Sequence, residues 1–229
     1  DNFLVEIEAK RLKSTIRDMD MEISTNIDGY DYYNDYIKLL LDVLSATADG
    51  LTIKIGKNSE YVTTEIKKMS YSLNDWDLFL DFDEGPRTTP LLNANFNLQD
   101  AKISLARGIK RNMGTNERLL YNYFANAHES ILIKKLSFNI SIDRNGIVSA
   151  EGNLDMPVGK AKVNATLTMG KNFRTEPYLD MLELDFTNLS PDVQNLMDDL
   201  VENEGVQMKK HRTGYSLRMS GDIDNPRIY

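Results

Sequence analysis

The 229 residues predict a mainly β protein: a large antiparallel sheet, curved or sandwich-like, with about three covering α-helices. Three observations carry that expectation. Apolar and polar residues alternate along one segment after another, the period of a strand with one dry face and one wet face. Asp-Gly and Asn-Gly pairs mark tight turns between segments. Only three segments change to helical spacing. Water on the polar faces is what an antiparallel sheet permits.

The elements follow in chain order. Phe3, Val5, Ile7 and Ala9 alternate with Leu4, Glu6, Glu8 and Lys10. Met19, Met21, Ile23 and Ile27 alternate with Asp18, Asp20, Glu22 and Ser24, ahead of a turn at Asp28-Gly29. Residues 31 to 48 read as a helix, with Tyr33, Ile37, Leu40, Leu41 and Leu44 on one side, closed by a turn at Asp49-Gly50. Short strands are expected at Leu51–Ile55, Met69–Leu73 and Trp76–Phe82. Asp83 to Pro90 reads as a flexible loop from its glycine, prolines and charges. Leu92, Ala94, Phe96 and Leu98 resume the alternation, continued by Ala101, Ile103 and Leu105.

A second helix is expected over 115 to 129, capped by Thr115 or Asn116, with Leu119, Leu120, Tyr123, Phe124 and Ala127 inward. Leu136, Phe138, Ile140 and Ile142 lead to a hairpin at Asp143-Arg144-Asn145-Gly146 and on to Val148 and Ala150. Ala161 to Met169 and Leu182 to Phe186 alternate again. Ser190-Pro191 opens a third helix over 190 to 203, a capping side chain followed by proline at the first position. Val193, Leu196, Met197, Leu200 and Val201 point inward, and Gly205 suits the stop. Tyr215, Leu217 and Met219 form the last stripe, after a turn at Thr213-Gly214. Trp76, Phe138, Ile140, Val163, Leu184 and Leu217 are the expected core.

Composition narrows the function classes. A net charge of −8 and an isoelectric point near 4.9 disfavour a nucleic-acid partner. With no cysteine, a thiol nucleophile, a zinc-thiolate site and a disulfide frame are all excluded. No run approaches the roughly 20 apolar residues of a membrane helix, and no signal peptide opens the chain. Asp1 already stands in a strand pattern. The expectation is one β-rich domain over 1–229, cut or processed from a longer chain.

Candidate chemistry is sparse. His128 and His211 lack partners at metal-ligand spacing, and no Gly-x-Ser-x-Gly elbow exists for a hydrolase. Asp81, Asp83 and Glu84 lack the spacing of a calcium loop. Gly108 and Gly114 enclose no phosphate-cradle motif. Asn-x-Ser/Thr triplets occur at Asn139, Asn164 and Asn188, two of them within strands, which argues against glycosylation. No catalytic residue, cofactor or metal is expected. One cluster stands out against the acidic background: Arg107, Lys110, Arg111 and Arg118. It reads as a solvated loop or as a contact for lipid head groups or an acidic partner.

The C-terminal part carries a resemblance. Ile147-Val148-Ser149-Ala150-Glu151-Gly152-Asn153-Leu154-Asp155-Met156-Pro157-Val158-Gly159 is followed by Leu182 to Leu189 and by Gly214 to Arg227 with its Asp224-Asn225-Pro226 turn. Over about residues 136 to 229 this phrasing resembles AsmA-like and type II secretion N-subunit (GspN-like) periplasmic proteins. The resemblance implies an inner-membrane-anchored protein with an elongated periplasmic β domain. It implies no catalytic residues. The expected function is a non-enzymatic scaffold or assembly subunit of a type II protein secretion system, whose partners are other secretion-system or envelope proteins. The alternative is an AsmA-like lipid-handling module with a dry groove for acyl chains. Geometry separates the two: a closed sandwich favours the scaffold, a continuous apolar groove the lipid module.

Overall fold

The computed structural model describes residues 3–24, 36–58, 60–81, 85–86, 89–125, 129–170, 176–203 and 205–229. Strands β1 (Phe3–Ser24), β2 (Tyr36–Lys57) and β3 (Glu60–Asp81) run 22 residues each, far beyond the usual five or six. Then come β4 (Gly85–Pro86), β5 (Leu91–Leu105), α1 (Arg107–Asn112), α2 (Thr115–Ala125), β6 (Ser130–Ile142), β7 (Ile147–Met156) and β8 (Gly159–Thr168). The chain closes with β9 (Tyr178–Thr187), α3 (Pro191–Glu202), β10 (Lys209–His211), β11 (Gly214–Asp222) and β12 (Arg227–Ile228). All strands join one antiparallel sheet in the order β1-β2-β3-β5-β6-β7-β8-β9-β11-β10, with β4 on β3 and β12 on β11. The sheet is open, its path ending at β1 and β10.

Register aligns the apolar positions into rows that cross the sheet. Ala46, Tyr71, Phe96, Phe138, Gly152, Val163, Leu184 and Leu217 stand side by side in one row. Leu12, Ala48, Met69, Leu98, Leu136, Leu154, Ala161, Phe186 and Tyr215 make another. Gly152 makes room in the first row: a Cβ there would stand 2.6 Å from Val163 Cγ1 and 3.0 Å from Phe138 Cδ2.

Two lines of interruption cross the long strands. Along the first, Lys10, Gly50, Lys67, Asp100 and Lys134 drop out of the ladder between paired neighbours. Along the second, Asp18, Asp42 and Asp75 do the same. Gly50, Asp100, Asp18 and Asp75 have φ of 60°, 50°, 48° and 54°. Glycine adopts this left-handed region freely, and aspartate tolerates it better than most side chains. Each interruption flips the pleat. In β2 the apolar side passes from Ile37, Leu39 and Leu41 to Leu44, Ala46 and Ala48, then to Leu51 and Ile53. The dry face therefore stays continuous across both lines.

Burial gives the direction of the bends. Ala48, Leu51, Ile66, Leu98 and Ala101 flank the first line and pack together as a buried cluster. Leu41 and Leu73 flank the second and are buried too. Lys10, Lys67, Asp100, Asp18, Asp42 and Asp75 are exposed. This burial pattern is that of a sheet bent toward its apolar side at both lines, a trough whose axis runs across the strands.

Several expectations are corrected here. The segment 36–48 is strand, not the expected helix over 31–48; residues 31–35 and Asp28-Gly29 lie outside the described residues. Ile37, Leu41, Leu44 and Ala48 imitate helical spacing because two alternating runs meet out of phase at Asp42. Asp49-Gly50 is a bend inside β2 rather than a turn between elements. The segments 69–73 and 76–81 are one strand, whereas 101–105 continues the strand of 92–98 as the alternation indicated. Helix α1, over 107–112, was not expected. Trp76, Phe138, Ile140, Val163, Leu184 and Leu217 are half-buried rather than core, because they line an open face.

The hairpin at Asp143 forms as expected: its Oδ1 accepts from the backbone N–H groups of Asn145 (2.8 Å) and Ile147 (2.9 Å). These bonds hold its carboxyl below the usual carboxylate range, the Ile147 bond foremost. Helix α3 also forms as expected, with Ser190 accepting from Val193 N and Pro191 in the first position.

Candidate functional site

The apolar face differs at its two ends. At the β1 end the apolar rows run out uncovered. Ile7 is 65% and Leu12 68% exposed, whereas Leu51 and Ala48 on the neighbouring strand are 6% and 1% exposed. Val5, Ile16, Met19, Met21 and Ile23 of β1 are also exposed. With strands about 4.8 Å apart, the dry rows extend for roughly 40 Å toward β11.

At the other end the trough is closed. Strands β7, β8, β9 and β11 stop near the first bend line, and α3 packs at that end. Val193 and Met197 of α3 pack with Met156, Val158 and Tyr215. Tyr123 of α2, Leu154, Phe186 and Leu189 pack around them. A polar pin locks α3 down. Asp198 Oδ1 accepts from Lys210 Nζ at 2.5 Å and from the Tyr215 hydroxyl at 2.5 Å. Lys210 and Tyr215 are partners in the β10–β11 ladder. The Lys210 ammonium lowers the Asp198 pKa most, with the Tyr215 hydroxyl second. Lys210 is in turn pushed up by Asp198, and Tyr215 is pushed up chiefly by its burial.

The structure brings the four basic residues of the sequence cluster together. Arg107, Lys110, Arg111 and Arg118 line one open cleft of about 460 Å³ with Tyr121 and Glu129, on the rim where β5 leads into β6. Lys110 Nζ donates to the Glu129 carbonyl at 2.9 Å and sits 5.2 Å from the centre of the Tyr121 ring. The Tyr121 hydroxyl donates to that same carbonyl at 2.6 Å. Arg118 donates to the carbonyls of Arg111 and Met113 at 3.3 Å each, tying α2 to α1. Glu60 and Glu117 turn their carboxylates to the backbone N–H groups of Gly108 (2.8 Å) and Gly114 (2.9 Å).

Helix α2 corrects a further expectation. Tyr121 and Ala125 are its buried residues, while Leu119, Leu120 and Phe124 are exposed. Ala127 and His128 lie outside the described residues, as do Asp83 and Glu84. His211 engages Thr213 at the β10–β11 turn, with Nδ1 3.2 Å from its hydroxyl. Among the described residues no group of three or more metal-ligating side chains converges. No helix among them is long and apolar enough to cross a membrane. A dry groove was weighed from the sequence, but not the pleat flips that carry it across the long strands, although their signal is there: apolar positions step by three at Ala9–Leu12, Leu41–Leu44, Ala48–Leu51 and Leu98–Ala101.

The chain matches no family model, no curated protein and no solved structure.

Proposed function

We propose that this protein is a non-enzymatic, lipid-handling module of the cell envelope that shelters acyl chains along its apolar trough. The observation that carries the reading is the uncovered dry face: rows of aliphatic and aromatic side chains cross an open sheet and end exposed on β1. An apolar surface of that extent in water costs free energy unless something apolar lies on it. The C-terminal resemblance to AsmA-like periplasmic proteins supports the reading, with a site of action in the periplasm next to the inner membrane as part of the proposal.

Extraction of the purified protein followed by mass spectrometry tests the reading. Co-purified phospholipid at about one molecule or more per chain is the expected result. Ile7→Asp and Ile16→Asp, both at exposed positions, should reduce it. A lipid-free protein that takes up no fluorescent phospholipid sinks the proposal.

A second reading, the type II secretion scaffold, has one observation of its own. The outer edge of β1 pairs with no strand among the described residues over all 22 positions. Such an edge accepts a strand from a partner. A lipid-free chain that captures other secretion subunits, and loses them when proline is placed on the β1 edge, would favour it.

A further inference from the structure

We infer that the α1–α2 unit is a docking surface for an anionic membrane. Two features meet there. The first is apolar. Leu119, Leu120 and Phe124 project from α2 into solvent, 40–49% exposed. At about 100° per residue they share an arc of roughly 140°. Three large apolar side chains grouped on one helix face are unlike scattered surface leucines and mark an interaction face. The second is charge. Residues 106–116 hold three basic residues and no acidic one, within a chain whose net charge is −8. Arg118, next to Leu119, extends the basic flank.

The geometry separates supporting from available charge. Lys110 and Arg118 are engaged with backbone carbonyls and hold the two helices together. Arg107 and Arg111 are exposed, and their guanidinium groups carry no hydrogen bond or ion pair among the described residues. An apolar stripe with arginines on its flank fits the boundary between acyl chains and phosphate head groups. Charge complementarity selects an anionic surface, and the acidic remainder of the chain disfavours every other approach to it. Its place on the rim would bring the trough up to a source of lipid. The docking nevertheless rests on its own residues, not on the trough's occupant.

Co-sedimentation with vesicles tests it, using the full chain. Phosphatidylcholine vesicles are compared with vesicles containing about a third phosphatidylglycerol. Binding to the anionic vesicles only, lost when salt is raised to 1 M, is the expected result. Arg107→Gln with Arg111→Gln should weaken it about 25-fold, at about fivefold per removed charge. Leu120→Ser with Phe124→Ser should weaken it as strongly. All four positions are exposed, so an unchanged melting temperature certifies that the variants fold; Leu119→Ser alone replaces the pair if that one unfolds. Equal binding to both vesicles, no binding to either, or variants that bind like the parent would overturn the inference. Lipid-free protein that still docks defeats only the trough reading, and lipid-loaded protein that does not dock defeats only this one.

Discussion

The two halves of the sheet solve the same problem differently. In the C-terminal half, strands of about ten residues stop at a bend line and α3 closes that end of the sheet by packing on Met156, Val158 and Tyr215. In the N-terminal half, strands of 22 residues cross two bend lines, and no described element covers their dry face. A strand pattern leaves one face to be buried. One half meets part of that demand, at its end, with a helix from its own chain. The other bends until neighbouring rows shield each other, leaving β1 bare. The difference separates a structural core around Tyr215 from a surface available for binding.

Substitutions should expose that contrast most strongly at Tyr215. Its side chain is 0% exposed and pinned to Asp198, so Tyr215→Ala should cost about 3–5 kcal/mol in chemical denaturation. A loss below about 1 kcal/mol would mean that α3 is not the keystone of its half. At the bend lines a middle-sized effect is expected. Gly50→Ala forces a Cβ into left-handed backbone, 2.8 Å from Lys10 Cδ, and should cost about 1–2 kcal/mol. Asp100→Gly, which relieves the same conformation, should be neutral or stabilising, so opposite signs at the two sites are the check.

The pin makes a smaller contribution that depends on pH. The Asp198 pKa is lowered in the fold, so its contribution is present above the ordinary carboxylate range and is lost as pH falls through the lowered value. Those of Lys210 and Tyr215 are raised, so their contributions hold below their ordinary values and are lost as pH rises through the raised ones. Stability should therefore be flat through neutrality and decline at both ends. In Asp198→Asn the acid decline should flatten in thermal melts at stepped pH. Least affected in stability should be β1: Leu12→Ser and Ile16→Ser, at exposed positions, should stay within about 0.5 kcal/mol. Those same variants should lower phospholipid uptake, and uptake equal to the parent's would detach β1 from the binding surface.

Much of this was legible along the chain. The period of two marked nearly every strand, the Asp143–Gly146 hairpin followed from its turn residues, and Ser190-Pro191 announced α3. The basic cluster was visible as charge, and the structure gathers it at one cleft. Helix α2 was legible in its position but not in its orientation. Its apolar residues are spread around the helix, so spacing alone does not choose which of them face inward. Tertiary packing buries Tyr121 and Ala125 and leaves Leu119, Leu120 and Phe124 outside.

What the amino-acid order determined by itself is local: which side of each strand is dry, where backbone reverses, and where a helix begins. Those depend on alternation, turn chemistry and capping, all set within a few residues. Only the tertiary structure decided that Asp18, Asp42 and Asp75, or Gly50 and Asp100, stand in line across separate strands. A pleat flip in one strand looks like a strand end, or, in 36–48, like a helical turn. It becomes a bend only when the neighbouring strands flip at the same level. That alignment is a property of register, and it turns separate stripes into one trough.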